Sequence, residues 1–117
     1  MRVCLLGPPM SGKTTLFSAV VEAGGTTVDL SRPDQPHSAM VKVPDDRVDR
    51  LAKIHERPRA IHPEFELLDL PGLDLSGEAG RTRARTAGPA MRQSDMLVFV
   101  VRSFADDTVP PYRGRID

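Results

Sequence analysis

Residues 7–14 read Gly7-Pro8-Pro9-Met10-Ser11-Gly12-Lys13-Thr14, and this stretch decides the fold. It has the form G-x-x-x-x-G-K-[ST], which carries weight only between a strand and a helix. Both flanks are there. Val3-Cys4-Leu5-Leu6 leads in as a short apolar run. Thr14 to Ala23 leads out with Leu16, Phe17, Val20 and Val21 at helical spacing, and Gly24-Gly25 supplies a stop. Strand, glycine loop and helix together make a phosphate-binding loop. The glycines let successive backbone N–H groups converge on phosphate oxygens, and the helix N-terminus adds partial positive charge. In such a loop Lys13 reaches the β- and γ-phosphates and Thr14 offers its hydroxyl to Mg²⁺. The candidate nucleotide contacts are therefore Gly7, Pro9, Met10, Ser11, Gly12, Lys13, Thr14 and Thr15. The alternative, a glycine turn with a solvated lysine, does not account for the two flanks.

Working outward, Glu64 to Leu70 reads as a strand with Phe65, Leu67 and Leu68 as core candidates. It ends in Asp69-Leu70-Pro71-Gly72. A carboxylate at the carboxyl end of a strand lies where open α/β sheets bind ligands. In phosphate-loop enzymes such an Asp holds Mg²⁺, so Thr14 and Asp69 are the candidate metal ligands. Gly72 allows a backbone N–H to approach the γ-phosphate with no side chain in the way. Asp-x-Pro-Gly alone is a common turn, and it becomes informative only beside the glycine loop.

The rest of the chain frames this pair. At 117 residues it is at most one small domain, and 39% hydrophobic with 4% aromatic residues implies a modest aliphatic core. Zero formal net charge removes the broad electrostatic argument for nucleic acid or an acidic membrane. Cys4, the single cysteine, reads as a small buried hydrophobe. With no secretory signal and no apolar stretch long enough to span a membrane, the expected location is the cytoplasm, with no membrane partner.

Residues 24–39 form a long polar loop, followed by a short strand at Met40-Val41-Lys42-Val43. Asp45 is placed to cap a helix running to about Glu56, with Val48, Leu51, Ala52 and His55 on one face. His55 and His62 flank the turn after it. With no Cys and no third His nearby, they read as ordinary surface histidines. Between Leu73 and Asp95 the helical spacing of Ala84, Ala87 and Met91 is weak, and Gly88-Pro89 is expected to break or restart the helix. Arg81, Arg83 and Arg85 read as a solvated face. Met96 to Val101 is an apolar run suited to a parallel strand buried on both faces. The segment 103–117 is polar, with Pro110-Pro111 and no periodicity.

The order of these motifs resembles the translation-factor-related GTPases, and most closely the YchF branch, the Obg-like ATPases. Val43-Pro44-Asp45-Asp46-Arg47-Val48-Asp49-Arg50-Leu51-Ala52 is similar to that branch's stretch after its second strand. So are Val100-Val101-Arg102-Ser103-Phe104 and Gly114-Arg115-Ile116-Asp117. The resemblance implies the N-terminal part of a G domain: an α/β phosphate-loop NTPase fold, a three-layer sandwich on a mostly parallel sheet, cut off after the fourth strand. Its parts are the phosphate loop at 7–14, a switch-I-like loop at 24–39 and a switch-II-like segment at 69–90. The expected strand order is second, third, first, fourth. The family's coiled coil and TGS domain have no counterpart. The implied function is Mg²⁺-dependent binding and slow hydrolysis of ATP or GTP, by a switch that works at the ribosome.

Departures from the family pattern qualify that expectation. Met10 stands where the family loop has Asn. Pro33 falls at the place of the switch-loop Thr, with Thr26 and Thr27 further off, so the second hydroxyl ligand to Mg²⁺ is in question. Leu73 follows Gly72 where Ras-like enzymes carry the water-orienting Gln; a hydrophobic residue here agrees with the Obg-like group, and no catalytic residue is assigned. The base-recognition motif of the family lies beyond these residues, so ATP and GTP are not distinguished. A non-hydrolysing nucleotide-binding or protein-interaction fragment is the alternative reading, and a small-molecule kinase fits less well. The strand at 96–101 is also expected to expose an edge through which copies of the chain self-associate.

Overall fold

In chain order the elements are β1 (Arg2–Leu6), α1 (Lys13–Ala23), β2 (His37–Lys42), α2 (Asp46–Ile54), β3 (Glu64–Asp69), α3 (Glu78–Arg92) and β4 (Met96–Phe99), then a 3₁₀ turn at Tyr112–Gly114. They are seen in a computed structural model that describes residues 1–74 and 77–114. Residues 75 and 76 of the switch-II-like segment and 115–117 of the tail lie outside the described residues.

Apolar side chains on both faces of β1 set the layering. Val3 and Leu5 face α1, where Phe17 and Val21 are fully buried, and Ala39, Val41 and Leu67 complete that cluster. Cys4 and Leu6 face the other way, with Leu70, onto Ala87, Ala90 and Met91 of α3. One helix thus covers each face of the sheet, and the three-layer α/β sandwich follows. Burying a side chain such as Phe17 or Val21 contributes about 1.5–3 kcal/mol. Burial also pushes the Cys4 thiol pKa up, which suits its place as core filler.

The strand order is β2-β3-β1-β4, as the sequence led us to expect. β1 runs parallel to β3 and to β4, and β2 runs antiparallel to β3. The parallel register sets Leu5 opposite Asp69, so the carboxyl ends of β1 and β3 open onto one edge, where the glycine loop leaves β1.

Four expectations change. β2 begins at His37, three residues before Met40, because His37, Ala39 and Val41 alternate inward along it. α3 runs unbroken through Gly88-Pro89: Pro89 gives up only its own N–H, and its carbonyl still accepts from Gln93 N–H at 3.1 Å. α2 is capped by Asp45 as expected, its carboxylate accepting from Arg47 N–H at 2.9 Å; the Arg47 side chain holds the Asp45 pKa at about 2. Yet α2 buries none of its residues, and Leu51 and Ile54 are exposed.

The fourth change concerns β4, which is regular only to Phe99 and is not buried on both faces. It is the last strand in the sheet order, and Met96, Leu97 and Phe99 are 48%, 50% and 64% exposed. Among the described residues no strand pairs with its outer edge.

Candidate functional site: a phosphate loop closed on a buried carboxylate

The backbone turns sharply between β1 and α1. Met10 and Gly12 both adopt positive φ, +62° and +87°. α1 then starts at Lys13 with no side-chain cap and no acidic residue in its first turn. Its leading N–H groups have no intrahelical carbonyl and no competing side chain, the condition under which a helix N-terminus accepts an anion.

Positive φ suits Gly12 but strains Met10, because an unbranched apolar side chain gains nothing local from the left-handed region. Asn tolerates it. Met10→Asn is therefore expected to stabilise the chain by about 0.5–1 kcal/mol, raising Tm by several degrees. A thermal melt that leaves Tm unchanged or lowers it would count against strain at this position.

Three residues meet at the centre of the site, with Lys13 and Asp69 buried and Thr14 half-buried. Lys13 Nζ donates to Asp69 Oδ1 at 2.7 Å, and Thr14 Oγ1 donates to Asp69 Oδ2 at 2.7 Å. The Lys13 and Asp69 side chains are 6% and 3% exposed. A charged pair this far from water exists only because each partner neutralises the other. Both residues line a cavity of about 470 Å³ that Pro9, Met10, Ser11, Gly12, Thr14, Thr15 and Gly72 line as well. Gly7 sits behind this wall, its carbonyl accepting from Leu73 N–H at 2.9 Å. Gly72 lies against Pro9, and a Cβ there would meet Pro9 Cα at 2.9 Å, so the switch-II-like segment approaches the loop as only glycine allows. Ser11 Oγ is buried and has no hydrogen-bond partner among the described residues.

The other singled-out residues lie elsewhere. Leu73 packs with the Cys4–Leu6–Leu70 cluster. Pro33, at the place of the switch-loop Thr, lines the cavity together with Gln35. Thr26 is held at the far end of α1, its N–H donating to Val21 O at 3.1 Å, and Thr27 lines a separate hollow beside Phe17. His62 pairs with Asp49 at 3.2 Å, remote from the loop, while His55 is the exposed C-cap residue of α2. Among the described residues no cluster of three or more His, Cys, Asp or Glu could hold a metal. Among them also, no helix is long and apolar enough to cross a membrane.

Sequence reasoning missed two contributions. Arg102 is 2% exposed; its Nε donates to Phe104 O at 3.0 Å and its guanidinium lies 4.5 Å from the Phe104 ring centroid. This anchor folds the segment after β4 back over the loop, so that Phe104, Asp106 and Val109 line the cavity. Asp106 is itself engaged by Thr108, whose hydroxyl donates at 2.6 Å and holds the Asp106 pKa below its ordinary value. Further on, the Tyr112 hydroxyl donates to Asp74 of the switch-II-like segment. Single apolar residues in a polar tail, Phe104 and Val109, were the available signal. The second omission is His37, 9% exposed, with Nδ1 4.0 Å from Asp69 Oδ2. Extending the inward alternation of Ala39 and Val41 by two residues reaches it.

Comparison with known proteins places these residues in a wider group. The family model described as 50S ribosome-binding GTPase matches residues 2–114. The chain is similar to the ribosome-binding ATPase YchF of Bacillus subtilis, 30% identical over 114 residues, which are 97% of this chain and 31% of the relative. It is 31% identical, over the same shares of both chains, to the protein of that name from Haemophilus influenzae, and 28% to that of Escherichia coli O157:H7. The chain thus spans about a third of the length of the curated relatives it matches.

Proposed function

Because this chain belongs to the 50S ribosome-binding GTPase family, we propose that its loop cavity binds the triphosphate of ATP or GTP with Mg²⁺, hydrolyses it slowly, and acts as a nucleotide switch at the ribosome. In this reading residues 1–117 are part of a G domain located in the cytoplasm. The observation that carries the proposal is the convergence of Lys13 and Thr14 on buried Asp69, at the mouth of an uncapped helix. Lys13 is a cation without a solvent outlet, and a triphosphate arriving at the loop offers it a replacement for the carboxylate.

The donor set fits Mg²⁺. Thr14 Oγ1 and Asp69 Oδ2 are hard oxygens 2.7 Å apart. Adjacent ligands of an octahedral ion with bonds of 2.0–2.1 Å stand about 2.9 Å apart, so both can serve one ion with little movement. Held by Thr14 and Asp69, Mg²⁺ would supply charge neutralisation for the triphosphate. The remaining work falls to the chain itself. Backbone N–H groups of the loop and of the first turn of α1 cradle the phosphates. Gly72 admits the terminal phosphate beside Pro9. Phe104 and Val109 provide apolar contact beyond the phosphates, and neither distinguishes adenine from guanine. The family description names a GTPase and the relatives are named ATPases, so either purine is in keeping with them.

Slow turnover follows from what lines the cavity. Leu73 faces the core and offers no hydrogen bond to water, and no arginine lines the cavity among the described residues. Without a water-orienting Gln at this position or an arginine finger, hydrolysis is expected on the order of 10⁻⁴ s⁻¹ or slower. Single-turnover assays with a labelled γ-phosphate test this. A rate a hundredfold higher, lost in Gln35→Ala or Asp106→Ala, would show catalytic machinery outside the residues assigned here. Binding with no hydrolysis at all would favour the non-hydrolysing alternative.

A second partner we infer is another copy of the chain. Among the described residues the outer edge of β4 is unpaired, and the strand exposes Leu97 and Phe99 with no intervening charge. Sedimentation velocity at micromolar concentration is expected to show self-association, weakened by Leu97→Lys and Phe99→Lys. The half-buried Val98 is the poorer site for a charge because it packs on the α1-side core. A monodisperse monomer would exclude the edge as a contact.

A further inference from the structure

Among the described residues three polar side chains lie close to Asp69, two of them Lys13 and Thr14. Lys13 Nζ holds Oδ1 and Thr14 Oγ1 holds Oδ2, both at 2.7 Å. The third is His37, whose Nδ1 lies 4.0 Å from the same Oδ2. Its position is set by the sheet: in the antiparallel β2–β3 register His37 stands directly opposite Asp69. The imidazole is 9% exposed and its ring lies 6.4 Å from that of Phe17, so packing confines it. Nε2 is buried with no hydrogen-bond partner among the described residues.

A neutral imidazole donates from one nitrogen and accepts at the other. A carboxylate facing Nδ1 favours the proton there, which leaves the unpartnered atom, Nε2, as the acceptor. The ring is then a donor held just short of a hydrogen bond to Asp69. At 4.0 Å Nδ1 and Oδ2 are too far apart for a hydrogen bond, and a small movement on binding would bring one about. A triphosphate at the loop competes with Asp69 for the three N–H donors of Lys13. When Lys13 turns to the phosphates, a carboxylate only 2% exposed loses its strongest donor.

We propose that His37 is a positioning residue for Asp69, its Nδ1–H closing onto the carboxylate as Lys13 leaves and keeping Oδ2 aimed beside Thr14 Oγ1. The closure needed is about 1 Å, from the observed separation to ordinary hydrogen-bond length. Metal-binding carboxylates are generally oriented by such an outer partner, and loss of one typically weakens metal affinity 10–100-fold. The inference rests on the Mg²⁺-nucleotide reading above.

The test uses the whole chain with a fluorescent purine triphosphate, titrated with Mg²⁺ and, separately, bound in EDTA. His37→Asn keeps an amide nitrogen near the Nδ1 position, His37→Gln moves it toward the Nε2 position, and His37→Leu fills the space without a donor. Leu and Gln are expected to raise the half-saturating Mg²⁺ concentration about tenfold, while Asn stays close to the parent. Binding in EDTA should match the parent in all three. Should His37→Leu fail to fold, the contrast of Asn with Gln still decides. Equal Mg²⁺ requirements in Asn and Gln, or equal losses with and without Mg²⁺, would overturn the positioning role and leave the site reading intact. A parent chain that binds nucleotide with no Mg²⁺ dependence, or not at all, would overturn both.

Discussion

Lys13→Met is expected to cost the free chain roughly 3–5 kcal/mol and to abolish the thermal shift caused by nucleotide. The first effect arises because Asp69, 3% exposed at its side chain, loses the cation 2.7 Å away. Breaking a buried pair from one side leaves an uncompensated charge, and the Thr14 hydroxyl alone cannot offset it. A small domain holds only about 5–15 kcal/mol in total, so much of the population should be unfolded at moderate urea. Lys13→Met combined with Asp69→Asn removes both charges and should regain most of the loss, with a coupling energy well above the scatter of independent sites. Urea unfolding of the two single variants and the double variant measures it. If Lys13→Met unfolds like the parent, the pair is not a buried partnership in solution.

Gly7→Ala is the second large effect, and its cause is steric. A Cβ on Gly7 would stand 2.4 Å from Val100 O and 2.9 Å from Ser11 Oγ. Val100 cannot simply move aside, since its own N–H donates to Leu6 O at 2.7 Å and holds the end of the β4 ladder. The loop must lift or the ladder must part, at a cost of about 1–3 kcal/mol or more. Either movement also pulls the Gly7 carbonyl from Leu73 N–H, which ties the switch-II-like segment to the loop. Nucleotide affinity should therefore fall together with stability. Gly12→Ala is the control: it meets nothing within 4 Å and is opposed only by φ +87°. Calorimetric Tm of the two variants checks the ranking, with nucleotide titration applied to Gly7→Ala alone because Gly12 is itself a loop contact, and equal losses of Tm would argue against the close approach of β4 and the loop.

The fold was legible because its determinants are local and repeated. Val3 to Leu6 announces a strand with two buried faces, Phe17 and Val21 a helix with one, and the glycine loop joins them in the only order that buries both. Asp69 was legible for the same reason, as the last residue of a strand whose register follows from β1. What escaped depends on contacts between distant segments. Met96 to Val101 reads locally as a run apt for burial on both faces; its outermost place was legible from the expected strand order, but the exposure of Met96, Leu97 and Phe99 was not. Gly88-Pro89 reads locally as a break, whereas packing of Ala87, Ala90 and Met91 on the sheet keeps α3 whole. His37 reaches Asp69 through an antiparallel register, and Phe104 reaches the cavity through an arginine anchor that leaves no periodic trace in a tail rich in polar residues and proline.

Isothermal titration of the parent chain with ATP or GTP, with Mg²⁺ and with EDTA, tests whether Lys13, Thr14 and Asp69 form the proposed Mg²⁺-triphosphate site. One site per chain is expected, with a clear loss of affinity in EDTA and weaker binding of the monophosphate, which cannot reach the lysine and the metal position together. Binding of triphosphate and monophosphate with equal affinity, indifferent to Mg²⁺, or no binding at millimolar nucleotide, would contradict this expectation.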